Sequence, residues 1–124
     1  MQDGKYVILC IDDDEDLLES LRIVLEANGY VMVGATTAEA GIKVCRKAAP
    51  DLIIVDLMME EVDAGTNFVK ELKATGSTVP IYMLSSVGDG LNISADYAEL
   101  GLSGVFQKPI DPDALLTILK RKLK

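Results

Sequence analysis

The sequence contains no histidine and no tryptophan, and among its 124 residues there are only two cysteines, two phenylalanines and four tyrosines. Without histidine, the usual metal ligand and general base near neutral pH is missing, so any chemistry must use carboxylates, hydroxyls or amines. The scarcity of aromatic residues predicts an aliphatic core. Cys10 and Cys45 stand in apolar surroundings without a Cys-x-x-Cys spacing, which is typical of buried free thiols in a reducing compartment.

Positive charge is also scarce, because 20 acidic residues face 12 basic ones and the net charge is −8. This balance argues against direct binding to nucleic acid or to an anionic membrane, and it suits a bound cation or a basic partner. The sequence has no apolar run of membrane-spanning length, and no N-terminal stretch resembles a signal peptide. We therefore expect a cytoplasmic protein.

Five apolar runs alternate with helical patterns along the chain. Residues 6–11, 30–35, 52–56, 80–85 and 104–107 are the predicted strands. Alternation of strand and helix is typical of a parallel sheet with helices on both faces. We predict an α/β fold of the flavodoxin-like (βα)5 type, doubly wound, with strand order 2-1-3-4-5. The length fits a single domain over residues 1–124.

The predicted helices begin at recognisable capping residues. Asp14, Glu15 and Asp16 are interpreted as an N-cap and an acidic first turn. Thr36 and Glu39 fit a capping box with Thr36 as the N-cap of the second helix. The third helix lies near residues 68–72 and the fourth, with the weakest pattern, near residues 93–100. Asp111 and Pro112 are typical of an N-cap followed by proline at the first helical position.

Polar residues follow the carboxyl ends of four predicted strands. Asp12 and Asp13 follow the first strand, Asp56 ends the third, Ser85 ends the fourth and Lys108 follows the fifth. Since strands one and three are neighbours in the predicted order, three carboxylates converge there. Each pair of charges repels by roughly 4 kcal/mol at 4 Å and an effective dielectric constant near 20.

Two outcomes relieve this repulsion: shifted pKa values or a bound divalent cation. A site made only of oxygen ligands suits Mg²⁺. A nearby lysine would complete a site for a phosphoryl-sized anion, in which a carboxylate can act as the nucleophile. Taken singly, Asp56 is explained equally well as a strand-end or turn residue, and a strand-end or turn hydroxyl for Ser85 and a solvated strand end for Lys108 are the favoured interpretations. Their combination at one edge favours a functional site.

Over essentially its whole length, the sequence resembles the receiver domains of two-component response regulators. The resemblance rests on four motifs in the family's order: Ile11-Asp12-Asp13-Asp14, Asp56-Leu57-Met58-Met59, Met83-Leu84-Ser85-Ser86 and Lys108-Pro109. It implies that Asp56 is the phosphoacceptor. It also implies that Asp12 and Asp13, with Asp56 and the Met58 backbone carbonyl, hold Mg²⁺.

By the same resemblance, Ser85 would hydrogen-bond the phosphoryl group and Lys108 would pair with it. The donor would be a histidine kinase or a phosphotransfer protein. Phosphorylation would remodel the face made by the fourth helix, the fifth strand and the fifth helix, which would bind an output protein or domain. The resemblance implies a switch rather than a turnover enzyme, either a monomer or a weak phosphorylation-dependent dimer.

Three features depart from the family pattern. Glu60 stands where the family usually has proline, in a loop that looks longer and more acidic than usual. Val105 stands at the position of the usual aromatic switch residue, and alternation along the strand points the adjacent Phe106 to the opposite face. The stretch from Ser85 to Lys108 is also slightly long and contains two glycines, Gly88 and Gly90.

Three alternatives remain. A phosphohydrolase of the haloacid-dehalogenase type would use Asp12 as its nucleophile, but Asp16 stands where a small hydroxyl residue is expected, and the chain is short for that class. A flavodoxin-like cofactor binder would need a phosphate loop, and the five acids at 12–16 would repel phosphate. A degenerate receiver would bind partners without being phosphorylated.

Overall fold

The computed structural model of the chain describes residues 4–56, 64–85, 101–108 and 110–123. Five strands form one parallel sheet in the order β2-β1-β3-β4-β5, which confirms the predicted architecture. The strands are β1 (Val7–Ile11), β2 (Val31–Ala35), β3 (Leu52–Asp56), β4 (Ile81–Ser85) and β5 (Gly104–Gln107). Three predicted strands began one residue too early, at Tyr6, Tyr30 and Pro80.

Four helices connect or follow these strands in the described part of the chain. They are α1 (Glu15–Ala27), α2 (Ala38–Ala48), α3 (Ala64–Ala74) and the C-terminal helix (Pro112–Lys122). The helix predicted at residues 93–100 lies outside the described residues. Within the described residues, none of the helices combines the length and the apolar character that crossing a bilayer requires.

Alternate residues of each strand enter two separate cores. Ile8 and Cys10 of β1 pack under α1 and the C-terminal helix, in a core that also holds Leu21, Leu25 and Leu115. The intervening β1 residues, Leu9 and Ile11, belong to a second core with side chains of α2 and α3. Because both faces of the sheet are covered, the central strands need apolar side chains at every position, which explains their unbroken apolar runs.

The register of the parallel pairs sets which residues meet at the carboxyl edge. Ile11, the last residue of β1, lies opposite Ala35 of β2 and Val55 of β3. Asp12, the next residue, is therefore placed beside Asp56. Asp56 in turn lies opposite Leu84, the residue before Ser85. The sheet thus brings the ends of β1, β3 and β4 together at one edge.

The N-cap prediction for α2 was wrong by one residue. Thr37, not Thr36, is the N-cap, and its Oγ1 accepts a hydrogen bond from the Ala40 backbone N–H at 3.0 Å. The capping box is therefore not formed, and Glu39 instead lies 3.6 Å from the Lys43 ammonium one turn along the helix. The two adjacent threonines are chemically equivalent caps, so the geometry of the link from β2 decides between them.

The other two N-cap predictions are confirmed. Asp14 caps α1 and accepts hydrogen bonds from the backbone N–H groups of Asp16 and Leu17, at 3.0 and 3.2 Å. Asp111 caps the C-terminal helix and accepts from the Asp113 N–H at 3.1 Å, with Pro112 in the first turn. Both caps stabilise helix N-termini that face the carboxyl edge of the sheet.

Candidate functional site

Three carboxylates converge at the carboxyl edge, as the sequence predicts. Asp12, Asp13 and Asp56 each offer one carboxylate oxygen, and these oxygens lie within 4.8 Å of one another. Asp12 and Asp56 are buried, whereas Asp13 is exposed. The cluster therefore has two carboxylates anchored in the protein and a third at its open side, where solvent or a ligand has access.

Asp12 is fixed by its neighbours on both sides. Its backbone N–H donates to the Ala35 carbonyl at 3.0 Å, which continues the pairing of β1 with β2. Its Oδ1 accepts from the Asp14 N–H at 2.9 Å. The positioning of Asp12 by Asp14 was missed from the sequence, where Asp14 was interpreted only as a helix cap. The signal was present, because an aspartate at a strand-to-helix junction often accepts from the backbone N–H two residues later.

Lys108 joins two of the carboxylates. Its ammonium nitrogen lies 2.9 Å from Asp12 Oδ2 and 3.3 Å from Asp56 Oδ1, and its side chain is 24% exposed. The Lys108 backbone N–H donates to the Ser85 carbonyl at 2.7 Å, so the ladder between β4 and β5 holds the lysine at the edge. The site therefore contains its own cation, placed between the acids of β1 and β3.

Two pKa shifts show how the charged groups of the site act on one another. Burial alone would lower the pKa of Lys108, but the close contact with Asp12 and the charges of Asp12 and Asp56 outweigh it, and the net effect raises the pKa. Partial burial, followed by the charge of Asp12 and a hydrogen bond with it, raises the pKa of the Asp13 carboxyl. The charge of Asp12 thus adds to burial in disfavouring the ionised form of Asp13, and Lys108 offsets this only in part.

The donor set fits a hard divalent cation. All three groups are carboxylates, the ligands that Mg²⁺ and Ca²⁺ prefer. Asp12 Oδ2 is fully buried and, among the residues that the structure describes, accepts no hydrogen bond of good geometry, although Lys108 Nζ lies close to it. A buried carboxylate oxygen with a spare lone pair is suited to be a metal ligand.

The remaining predicted residues divide into two groups. Ser85 is buried at the end of β4, 5% exposed, directly beside the strand that carries Asp56. Met58 and the acidic loop residue Glu60 lie outside the described residues, so the predicted backbone ligand stays a prediction.

The fifth strand shows the predicted alternation. Val105 is half-buried and packs against the core under α2 and α3. Phe106 belongs to the opposite core, where its ring centroid lies 5.3 Å from that of Tyr82. The aromatic ring of this strand is therefore on the face away from Val105, held by a second ring.

Comparison with known proteins points to one family. A family model described as the response regulator receiver domain matches residues 8–120. The transcriptional regulatory protein GlrR of Escherichia coli is 32% identical over 108 residues, covering 87% of this chain and 24% of that protein. The alkaline phosphatase synthesis transcriptional regulatory protein PhoP of Bacillus subtilis is 31% identical over 105 residues, covering 85% of this chain and 43% of its own. This chain thus spans at most about half the length of such curated relatives.

Solved structures of response regulators have the same fold as this chain. The chemotaxis response regulator CheY4 of Vibrio cholerae superposes with a TM-score of 0.84 at 27% identity, covering 97% of this chain and 100% of that one. A CheY-like response regulator receiver domain protein of Methanospirillum hungatei superposes with a TM-score of 0.87 at 26% identity, covering 97% and 94%. In both cases the similarity extends over nearly the whole chain.

Proposed function

Because this chain belongs to the response regulator receiver domain family, we propose that it is a phosphoryl-accepting switch with Asp56 as the acceptor. One observation carries the proposal: a single ammonium group contacts both Asp12 and Asp56 in a pocket of three carboxylates. This arrangement supports the proposal, because carboxylates that would act as nucleophile and as metal ligands lie with a cation around one small volume. A phosphoryl group needs all three at once.

Asp12, Asp13 and Asp56 are the described residues that would hold Mg²⁺, and the Met58 carbonyl is proposed as a further ligand. The bound ion would supply positive charge against the developing charge of the phosphoryl oxygens. The protein supplies the placement of the ligands. The backbone N–H of Asp12 donates to Ala35 and its Oδ1 accepts from Asp14, so the placement of its carboxylate is set before an ion binds.

In the proposed transfer, an oxygen of Asp56 attacks the phosphorus atom of the donor while the bond from phosphorus to the donor's leaving group breaks. The Lys108 ammonium then pairs with a phosphoryl oxygen instead of with Asp56 Oδ1, from which it is now 3.3 Å away. The Ser85 hydroxyl, on the strand next to Asp56, donates a hydrogen bond to another phosphoryl oxygen. Both residues would thus bind the product group from the carboxyl edge of the sheet.

The proposed donor is a histidine kinase or a phosphotransfer protein, and the proposed readout is an output protein or domain that binds the face around β5 and the C-terminal helix. The transcriptional regulators similar to this chain are at least about twice as long, which supports an output element separate from the receiver. The protein would therefore be a switch that modifies itself and not an enzyme that turns over a substrate.

The test is phosphorylation by a small donor. Acetyl phosphate and Mg²⁺ are added to the wild type, to Asp56→Asn and to a matched control, Asp16→Asn, in which an exposed aspartate of α1 is changed. Intact-protein mass spectrometry should show one added phosphoryl group on the wild type and on Asp16→Asn, and none on Asp56→Asn. The adduct should be lost under conditions that hydrolyse acyl phosphates.

Other results would contradict the proposal in distinct ways. An adduct at Asp12, or steady release of phosphate that Asp56→Asn does not affect, would indicate a phosphohydrolase. Failure to form an adduct with acetyl phosphate, phosphoramidate and a panel of phosphorylated phosphotransfer proteins would indicate a degenerate receiver that acts only as an interaction module.

A further inference from the structure

A pocket lies between α2 and α3 at the edge of the sheet opposite Asp56. It has a volume of about 290 Å³, and apolar side chains from both helices, from β3 and from the link before β4 form its walls: Ile42, Cys45, Ile53, Leu72 and Val79. Pro50 and Val79 precede β3 and β4, so the pocket opens where these strands begin. We call it the α2–α3 pocket. It shares no residue with the carboxylate site.

The mouth of the α2–α3 pocket is polar and basic. Arg46, Thr75 and Ser77 line it together with the apolar walls. The Thr75 hydroxyl donates to the Leu72 carbonyl at 2.6 Å, so its hydrogen is already engaged. Arg46 is exposed, and within the described residues it makes no ion pair. The guanidinium is therefore available to an incoming anion.

Basic residues collect around this edge, although the protein as a whole is acidic. Arg46 and Lys47 lie in the last turn of α2, Lys73 lies in the last turn of α3, and three more cations, Lys120, Arg121 and Lys122, end the C-terminal helix. The acidic first turns of α1, α2 and the C-terminal helix lie at the other edge of the sheet. Asp51, just before β3, and Glu26, near the end of α1, are acids of the same edge, but among the described residues cations outnumber acids there.

We propose that the α2–α3 pocket binds a small amphiphilic carboxylate, with its alkyl chain between the helices and its carboxylate on Arg46. The helix ends oppose an anion, because each C-terminus carries about half a negative charge. The full charges of Arg46 and of the next residue, Lys47, exceed those two half charges. A planar guanidinium also matches a carboxylate with two parallel hydrogen bonds.

The size of the pocket limits the ligand. Its volume is at the lower end of the range for small-molecule sites, so it suits a short or medium alkyl chain and not a folded peptide segment. Because the walls are apolar and hold no buried charge, the pocket distinguishes between alkyl chains only by their length. The carboxylate on Arg46 then determines the orientation, with the polar end at the mouth.

The experiment is an NMR titration of isotope-labelled, unphosphorylated protein with straight-chain carboxylates of increasing length. Amide shifts should saturate and centre on Cys45, Ile53 and Val79. Affinity should rise about fourfold for each added methylene, the fold-change that corresponds to about 0.8 kcal/mol, until the chain fills the pocket. Alcohols of equal length should bind at least several-fold more weakly.

Two variants decide whether the site is the one proposed. Arg46→Gln should weaken carboxylate binding several-fold and leave alcohol binding unchanged, whereas Lys47→Gln, which changes the adjacent exposed cation, should have a small effect on both. Shifts that do not saturate, shifts centred elsewhere, or equal binding of acids and alcohols would overturn the proposal. So would equal effects of the two substitutions.

Discussion

At the scale of single residues, Lys108 is the side chain on which the charge balance of the site depends. It stands within 3.3 Å of oxygens on two buried aspartates, one from each of two neighbouring strands. One positive charge set against three carboxylates leaves the pocket with an excess of negative charge. The pKa of the exposed member, Asp13, is raised by partial burial and then by the charge of Asp12. Replacing Asp13 therefore tests how much the clustered negative charges lower the free energy of unfolding.

We predict that Asp13→Asn stabilises the folded protein at pH 7 in buffer free of divalent cations. An acid whose pKa is raised by folding binds its proton more tightly in the folded state, so its ionisation destabilises the fold above that raised pKa. The expected gain is up to about 1 kcal/mol, the scale for charges near the surface. Urea unfolding at several pH values provides the measurement, and the gain should shrink as the pH falls toward about 3.9, the usual pKa of aspartate.

Asp16→Asn is the matched control for this effect. Asp16 lies in the first turn of α1, where a negative charge interacts favourably with the helix dipole. Its neutralisation should leave stability unchanged or lower it slightly at pH 7. A loss of stability in Asp13→Asn equal to that of the control would contradict the proposed repulsion.

At the scale of elements, the ends of helices show how far the sequence determines structure. Asp14 and Asp111 were predicted as caps because each is a single strong capping residue before a clear helical pattern. Before α2 the chain offers two threonines in succession, and local preference cannot separate them. The length of the link from the end of β2 decides which threonine becomes the cap, and this length depends on how α2 packs on the sheet.

The two threonines give a paired prediction. Thr37→Ala should lower the free energy of unfolding by about 1 kcal/mol, because it removes the acceptor for the Ala40 N–H. Thr36→Ala, at the adjacent exposed position, should change it by less than about 0.5 kcal/mol. Thermal and urea unfolding of both variants would check this. Equal losses in the two variants, or a larger loss in Thr36→Ala, would place the cap at Thr36 after all.

At the scale of the whole molecule, the sequence determined the order of elements and the edge that carries the site. Continuous apolar runs identified the five strands, and the rules for parallel sheets gave their order. Those rules place Asp12 beside Asp56 without knowledge of any side-chain contact. They cannot predict that Lys108 contacts both acids or that Asp14 supports Asp12, because such contacts depend on rotamers and loop geometry.

Mg²⁺ should stabilise the whole molecule if the carboxylate site binds it as proposed. A ligand that binds only the folded state adds about 2.7 kcal/mol at a concentration one hundred times its dissociation constant. The melting temperature should therefore rise with Mg²⁺ and return to its starting value when EDTA is added. Differential scanning calorimetry of the wild type and of Asp12→Asn would test this.

The response of Asp12→Asn should be much smaller, because the variant removes a buried carboxylate of the cluster. Asp51→Asn is the matched control, since this aspartate lies at the opposite edge of the sheet, where its Oδ2 accepts from the Val7 N–H. A Mg²⁺ response that is equal in all three proteins would place the ion elsewhere.

The position of Lys108 in the chain also has a consequence for synthesis on the ribosome. Its two carboxylate partners come from β1 and β3, so both are made before the residue that neutralises them. At 5–20 residues per second, roughly 3–10 s separate Asp56 from Lys108. During that interval the nascent chain has its acids without their lysine. We therefore expect cellular cations to act as counterions for these two acids until Lys108 has been made and has folded into place.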